Sequence, residues 1–265
     1  MENTPPVDFE RARSATLEEI SLLVHAPDVE VLQGLIENPL FNETHLCLLL
    51  ERKDLSGDLL EAIARRRELV KTYRVKKALA FHPHVPRIVF IRVVRELYLM
   101  DLVQLTLLPA TQAGLKRLAE DVLISRLAHL PLGQKLTLAR RAPARVAGAL
   151  LAEGHAQIAK VVLDNPFLTE AQVLKALSYK KFPAGVVQTV ATHRKWSLSY
   201  NVRLALLRHP ATPLAVVLAV LPNLTVGDLK VLSSSEVLPG NLRRYVAHEI
   251  EKRMSAARAS RKKLP

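Results

Sequence analysis

The side chains of this 265-residue chain best suited to chemistry are nine histidines, one cysteine and a pair of matched aspartates. His82 and His209 each stand directly before a proline, Pro83 and Pro210. An imidazole at such a helix end meets free carbonyls and the negative end of the helix dipole. We therefore read both as structural, with an exposed end charge worth about 1 kcal/mol or less. His82 and His84 are two residues apart, a spacing that neither a helix face nor a zinc motif uses. Cys47 lies in a leucine run as an inert small hydrophobe, and alone it makes neither a disulfide nor a cysteine metal site. Asp101 and Asp228, each followed by leucine, read as groups that cap or tether a repeat rather than as general bases. Nucleophile elbows and glycine-rich phosphate loops are missing. No catalytic residue, metal or cofactor is expected.

The basic residues are the stronger lead. Aligning residues 38–126 with 165–253 at a constant offset of 127 leaves six positions basic in both copies. They are Lys53/Lys180, Arg67/Arg194, Lys76/Arg203, Lys116/Arg243, Arg117/Arg244 and Arg126/Arg253. A charge repeated at a fixed place in stacked repeats traces a stripe, as tracking a phosphate backbone requires. The competing reading is a ladder between repeats, in which Lys76 or Arg203 pairs with a neighbouring carboxylate. Lys116, Arg117, Arg243 and Arg244, adjacent in pairs, are the better surface candidates. Arg194, Lys195 and Trp196 set the only tryptophan beside two cations. Exposed, that indole would stack on a base or anchor a protein; otherwise it covers a seam between repeats.

These residues need a frame, and the duplication describes it. Its matched pairs include Asn38/Asn165, Pro39/Pro166, Tyr73/Tyr200, His82/His209, Pro83/Pro210 and Pro86/Pro213. Short apolar segments of helical period alternate with proline or Asn-Pro breaks. Pro83 and Pro210 stop a helix, Pro86 and Pro213 open the next, and Thr169 and Ser199 read as N-caps. Phe, Trp and Tyr make up only 5% of a chain that is 49% hydrophobic, so Leu, Val and Ala must fill the core. The reading is all-α: about fourteen to eighteen short helices stacked as one right-handed α-solenoid. Residues 1–16 are expected to be a flexible lead-in. The solenoid spans 17–253, with copies at about 17–126 and 144–253, and a basic tail covers 254–265.

The segment NVRLALLRHPATPLAVVLAVLP, with Val202, Arg203, Leu206, Pro210, Thr212, Pro213 and Leu218, resembles the leucine-rich repeat variant unit. That family is an α-solenoid relative of HEAT and armadillo repeats. The first copy matches more weakly, with Lys76 for arginine and Val85 for threonine. The resemblance implies a curved helical solenoid. Some members carry a cysteine-bound iron–sulfur module; with Cys47 alone this chain departs from them, and no cluster is expected.

Net charge is +13, unevenly spread: residues 1–63 hold 4 Lys/Arg against 13 Asp/Glu, and the rest 34 against 12. Such a field attracts acidic proteins or nucleic acid. Apolar runs are too short to cross a bilayer, and the start lacks the pattern of a signal peptide, so a cytoplasmic protein without membrane insertion is expected. The sequence reads as a non-enzymatic scaffold for an acidic partner, either a protein surface or a nucleic-acid backbone. The alternative is a helical-repeat DNA glycosylase using Trp196 and Asp228 near a target base. Oligomeric state is left open.

Overall fold

The computed structural model describes residues 8–179, 182–234 and 240–261, the last segment with side chains over 243–255. These residues form eighteen α-helices and three short 3-10 turns, with no strand among them. The chain divides into two compact units, residues 1–126 and 127–265.

Unit 1 holds α1 (Phe9–Arg13), α2 (Leu17–Leu23), α3 (Val29–Glu37), α4 (Glu43–Glu51), α5 (Gly57–Arg65), α6 (Tyr73–Ala80), α7 (Arg87–Val94), α8 (Leu99–Leu107) and α9 (Ala113–Arg126). Alternate helices pack on each other: α3 on α1 and α5, α7 on α5 and α9, α4 on α6. Polar residues start most of these helices. Asp8, Thr16, Asp28, Asn42, Ser56 and Thr72 each accept a hydrogen bond from a first-turn amide. Thr16 forms a full capping box with Glu19.

Residues 8–16, expected to be a loose lead-in, are instead packed. Ala12 and Ala15 are buried, and α1 lies so close to α3 that a Cβ on Gly34 would sit 2.4 Å from the Phe9 carbonyl oxygen. Buried Asn38 then fastens the α1 end. Its Nδ2 donates to the carbonyls of Ala12 (3.0 Å) and Ala15 (2.9 Å), and its Oδ1 accepts from the Leu40 amide (2.8 Å).

Unit 2 holds α10 (Leu132–Arg141), α11 (Ala144–Ala152), α12 (Ala156–Leu163), α13 (Glu170–Leu177), α14 (Ala184–Thr192), α15 (Tyr200–Arg208), α16 (Leu214–Val220), α17 (Val226–Ser233) and α18 (Gly240–Arg261). Again alternate helices pack, α12 on α10 and α14, α13 on α11 and α15. Proline opens four of these helices, Pro131, Pro143, Pro183 and Pro213 occupying the N-cap, as Pro86 does for α7. Its fixed φ sets the extended entry but supplies no side-chain acceptor. Ser199 caps α15 as expected, whereas Thr169 holds the N-cap position of α13 without a side-chain bond. Gly154, at φ +73°, makes the left-handed turn after α11, where a Cβ would also meet the Pro183 ring at 2.7 Å. The expected tail from residue 254 is helical through Arg261, and Met254 packs against the apolar cluster of α16–α18.

Helix starts in unit 2 repeat those of unit 1 at the offset of 127: α3/α12 at 29/156, α4/α13 at 43/170, α5/α14 at 57/184, α6/α15 at 73/200, α7/α16 at 87/214. Buried hydrogen bonds repeat too. Asn165 donates to Ala139 and Ala142 and accepts from Phe167, as Asn38 does with the matching residues of unit 1.

Candidate partner-binding surface

A helix end leaves its last carbonyls unpaired, and buried ones must find donors. In both units the donor comes from a side chain about one helix pair later in the chain. In unit 1, Arg52 donates to the Val24 and Ala26 carbonyls beyond α2, at 2.8 and 2.7 Å. Arg66 donates to Ile36 at the end of α3, and Arg126 to Leu97 and Arg95 after α7. In unit 2, Arg253 does for Leu224 and Leu221 what Arg126 does in unit 1. Much of the cationic chemistry is thereby spent inside the fold. Arg126/Arg253 do not belong to a binding stripe.

The two proline-linked histidines follow the same rule. His82 is 2% exposed and His209 5%. Nε2–H of His82 donates to the Arg52 carbonyl at the end of α4 (2.8 Å), and Nδ1 accepts the His84 amide (3.2 Å). His209 matches it with the Tyr179 carbonyl (3.0 Å) and the Ala211 amide (3.2 Å). The expectation of an exposed end charge is corrected: each ring is a buried, doubly bonded link reaching back 30 residues. Burial pushes the His82 imidazole below its ordinary pKa, against the hydrogen bond to Arg52.

The carboxylates with catalytic potential are also engaged. The Tyr73 hydroxyl donates to Asp101, and the Tyr200 hydroxyl to Asp228. Lys77 adds an ion pair to Asp101 at 2.8 Å. Burial pushes the Asp101 carboxyl up, but the bonds from Lys77 and Tyr73 outweigh it and hold it below its ordinary value. Bonds from Thr225 and Tyr200 lower Asp228. Tyr73 is pushed up to about 12, first by burial and then by Asp101. Burial raises the Cys47 thiol. Each aspartate ties one helix pair to the next.

Trp196 is corrected likewise. It is 3% exposed, and its indole Nε1–H donates to the Leu163 carbonyl (2.9 Å) at the end of α12. No face is free to stack on a base: the Lys195 ammonium sits 4.2 Å from the ring centroid. In unit 1 the matching carbonyl, Ile36, is satisfied by Arg66 instead. Lys76 pairs with Glu96 at 2.5 Å, as a ladder between repeats requires. Arg203 does not join that ladder; it donates to the nearby Ser197 carbonyl (2.6 Å).

What remains for a partner is the exposed set. Lys53, Arg117, Arg194, Lys195 and Arg244 are exposed, while Lys116 and Arg243 are half-buried; Lys180 lies outside the described residues. These cations stand in unequal fields. Unit 1 carries 17 Lys/Arg and 18 Asp/Glu, unit 2 carries 21 and 7. Unit 2 also has a groove of about 390 Å³ along α10 and α12, lined by Arg140, Lys160, Val161, Asp164 and Asn165. Asp164 there meets Arg194 (3.4 Å) and His193 (3.3 Å). Sequence reasoning missed Arg140 and Lys160, because their counterparts Arg13 and Gln33 lie outside the strongly matching stretch. A second groove, about 450 Å³, lies between α7 and α9 with Ile91, Val94, Leu118 and Val122 in its lining. Among the described residues no group of His, Cys, Asp and Glu is arranged to hold a metal ion, and no helix is long and apolar enough to cross a membrane. No protein-family model, curated protein or solved structure matches this chain.

Proposed function

We propose that this chain is a non-enzymatic scaffold of the α-solenoid type, built by duplication of one nine-helix unit, that holds an acidic macromolecular partner on its basic second unit. The likeness of NVRLALLRHPATPLAVVLAVLP to the leucine-rich repeat variant unit belongs to the same reading. Duplication is supported by helix starts and buried hydrogen bonds that recur 127 residues apart. We read the stack as right-handed, each helix pair contacting only its neighbours as in repeat proteins. A binding rather than catalytic role is supported by the histidines and aspartates, whose polar atoms are bound to backbone and tyrosine.

The observation that carries the reading is the charge difference on matched frames: 21 cations against 7 carboxylates in unit 2, 17 against 18 in unit 1. A fold needs no such excess, and a surface of one sign raises the local concentration of oppositely charged partners. The test is a titration of the full chain with a labelled oligonucleotide and with poly-glutamate at about 50 and 200 mM salt. Binding to at least one is expected, steeply weakened by salt and unchanged by Lys53→Gln with Arg117→Gln in unit 1. Binding to neither at low salt removes the proposal, and loss on the unit 1 substitutions moves the surface.

A further inference from the structure

Resting on that reading, we infer that the groove along α10 and α12 is a phosphate subsite for the sugar–phosphate backbone of a nucleic acid. The case comes from comparing the groove with its own counterpart. In unit 2 it gathers Arg140, Lys160 and Arg194 around one carboxylate, Asp164. At the offset of 127 these positions are Arg13, Gln33, Arg67 and Glu37 in unit 1: two cations against one carboxylate, where unit 2 has three against one. There Arg13 pairs with Glu37 at 3.8 Å and the adjoining Arg66 with Glu68 at 2.5 Å, so most of the charge on that edge is paired from within. Asp164 instead faces Arg194 and His193, and among the described residues no ion pair involves Arg140 or Lys160. Both are exposed, and the Arg194 side chain is 88% exposed.

Arg140 left unpaired where the matching Arg13 is paired, with Lys160 added beside it, points to an anion from outside. The lining distinguishes the kind. Of the five lining residues only Val161 is apolar, and none is aromatic. A protein partner relies on a desolvated aromatic or aliphatic anchor at the centre of its interface, which this groove lacks. Phosphate contacts need cations in an open, hydrated channel, and Arg140, Lys160 and Arg194 supply them. The volume, about 390 Å³, is in the range of small-ligand sites, so a phosphate enters with its sugar. Contacts of this kind set position and not sequence preference.

The experiment titrates the full chain with a fluorescein-labelled DNA oligonucleotide, and with labelled poly-glutamate, at about 50 and 200 mM salt. Arg140→Gln, Lys160→Gln and Arg194→Gln combined should weaken oligonucleotide binding at least tenfold at the lower salt. The slope of log affinity against log salt should fall by about two to three, at nearly one per phosphate contact. Asp164→Asn, which removes the only carboxylate, should tighten binding several-fold, an effect that a purely structural role does not produce. Arg13→Gln with Arg67→Gln in unit 1 should leave affinity within about twofold, because Arg13 is already paired with Glu37 and the proposed contacts lie in unit 2. Circular dichroism and Trp196 fluorescence confirm folding of each variant. Oligonucleotide binding that the triple variant leaves intact overturns the groove and keeps the basic-unit reading. Binding of poly-glutamate alone overturns the phosphate assignment and keeps that reading, whereas binding of neither overturns both.

Discussion

Units 1 and 2 match helix for helix, yet they begin their helices by different means, and that difference bears directly on their charge. Unit 1 uses polar caps and acidic first turns: Glu10, Glu18, Glu19, Glu30, Glu43, Asp58 and Asp101. Negative groups there complement the positive helix end. Unit 2 replaces most of this with proline, keeping acids only in the first turns of α13 and α17, Glu170 and Asp228. Proline fixes the entry geometry without a carboxylate. A helix start made this way adds no negative charge, and the 21 lysines and arginines of unit 2 face only 7 carboxylates. One architecture thus carries a near-neutral surface and a strongly basic one.

What both units keep is the buried polar framework, and breaking it in each in turn tests whether they are energetically alike. Trp196, the only tryptophan, is buried in unit 2, so its fluorescence reports that unit while helical circular dichroism reports both. The largest effect is expected in the core. Leu79 and Leu206 occupy matching positions and are both fully buried. Either one changed to Ala should cost about 2–5 kcal/mol. By denaturant titration Leu206→Ala should shift the fluorescence midpoint. Leu79→Ala should shift the circular dichroism with less change in fluorescence. Equal shifts of both signals by Leu79→Ala would show one cooperative transition and break the division into independent units.

Next come the asparagines. Asn38→Ala or Asn165→Ala strips donors from two buried carbonyls and an acceptor from a backbone amide. A loss of about 2–3 kcal/mol is expected for each, because the orphaned groups cannot reach water. A loss below about 0.5 kcal/mol, outside the range for a buried unsatisfied group, would show that the motif is ornamental.

The histidines sharpen the comparison through pH. His82→Gln should cost about 1–3 kcal/mol, more than an exposed helix-end charge would, because a buried donor–acceptor link is lost. The sign of the pH dependence follows from the lowered pKa of His82. Above its ordinary value of 6.5 the ring is neutral in both folded and unfolded chains, and its stabilising links are intact. As pH falls through that value the unfolded chain takes up the proton first, so stability drops. The charged neighbours in this balance are Lys53 and His84, which oppose protonation, and Asp54, which favours it. Stability measured from about pH 7.5 down to 5.5, spanning the ordinary histidine range, should fall less steeply in His82→Gln than in the parent chain. An unchanged slope would assign the acid sensitivity elsewhere.

The asparagine and proline pairs were legible in the sequence because both copies use the same residue for the same job. The helix count and the all-α class followed from the same spacing. Legibility failed where the copies solve one problem differently: Arg66 and Trp196 satisfy matching carbonyls with unlike side chains, which no identity reveals. The burial of His82 escaped because its partner, the Arg52 carbonyl, lies 30 residues away on another helix end. The groove on α10 and α12 escaped for the opposite reason. A search for cations shared by both copies passes over Lys160, whose counterpart is Gln33. Shared residues marked the frame, while differences between the copies marked the surface.

The smallest expected effect separates the two ways of starting a helix. Asn42 caps α4, its Oδ1 accepting the Thr44 and His45 amides at 3.0 and 3.3 Å. Its counterpart Thr169 stands at the start of α13 with no such bond. Asn42→Ala should therefore cost about 1 kcal/mol, and Thr169→Ala a few tenths at most. Denaturant midpoints followed by circular dichroism for the first and by Trp196 fluorescence for the second measure both. Equal losses would mean that the Thr169 hydroxyl caps α13 in solution, and the contrast in helix starts would narrow. A loss confined to Asn42 leaves α13 held without a side-chain cap, by buried Val173, Ala176 and Leu177 and the first-turn Glu170. Packing with one first-turn carboxylate then replaces a polar side-chain cap, and the proline-opened helices α10, α11, α14 and α16 of unit 2 dispense with that cap as well.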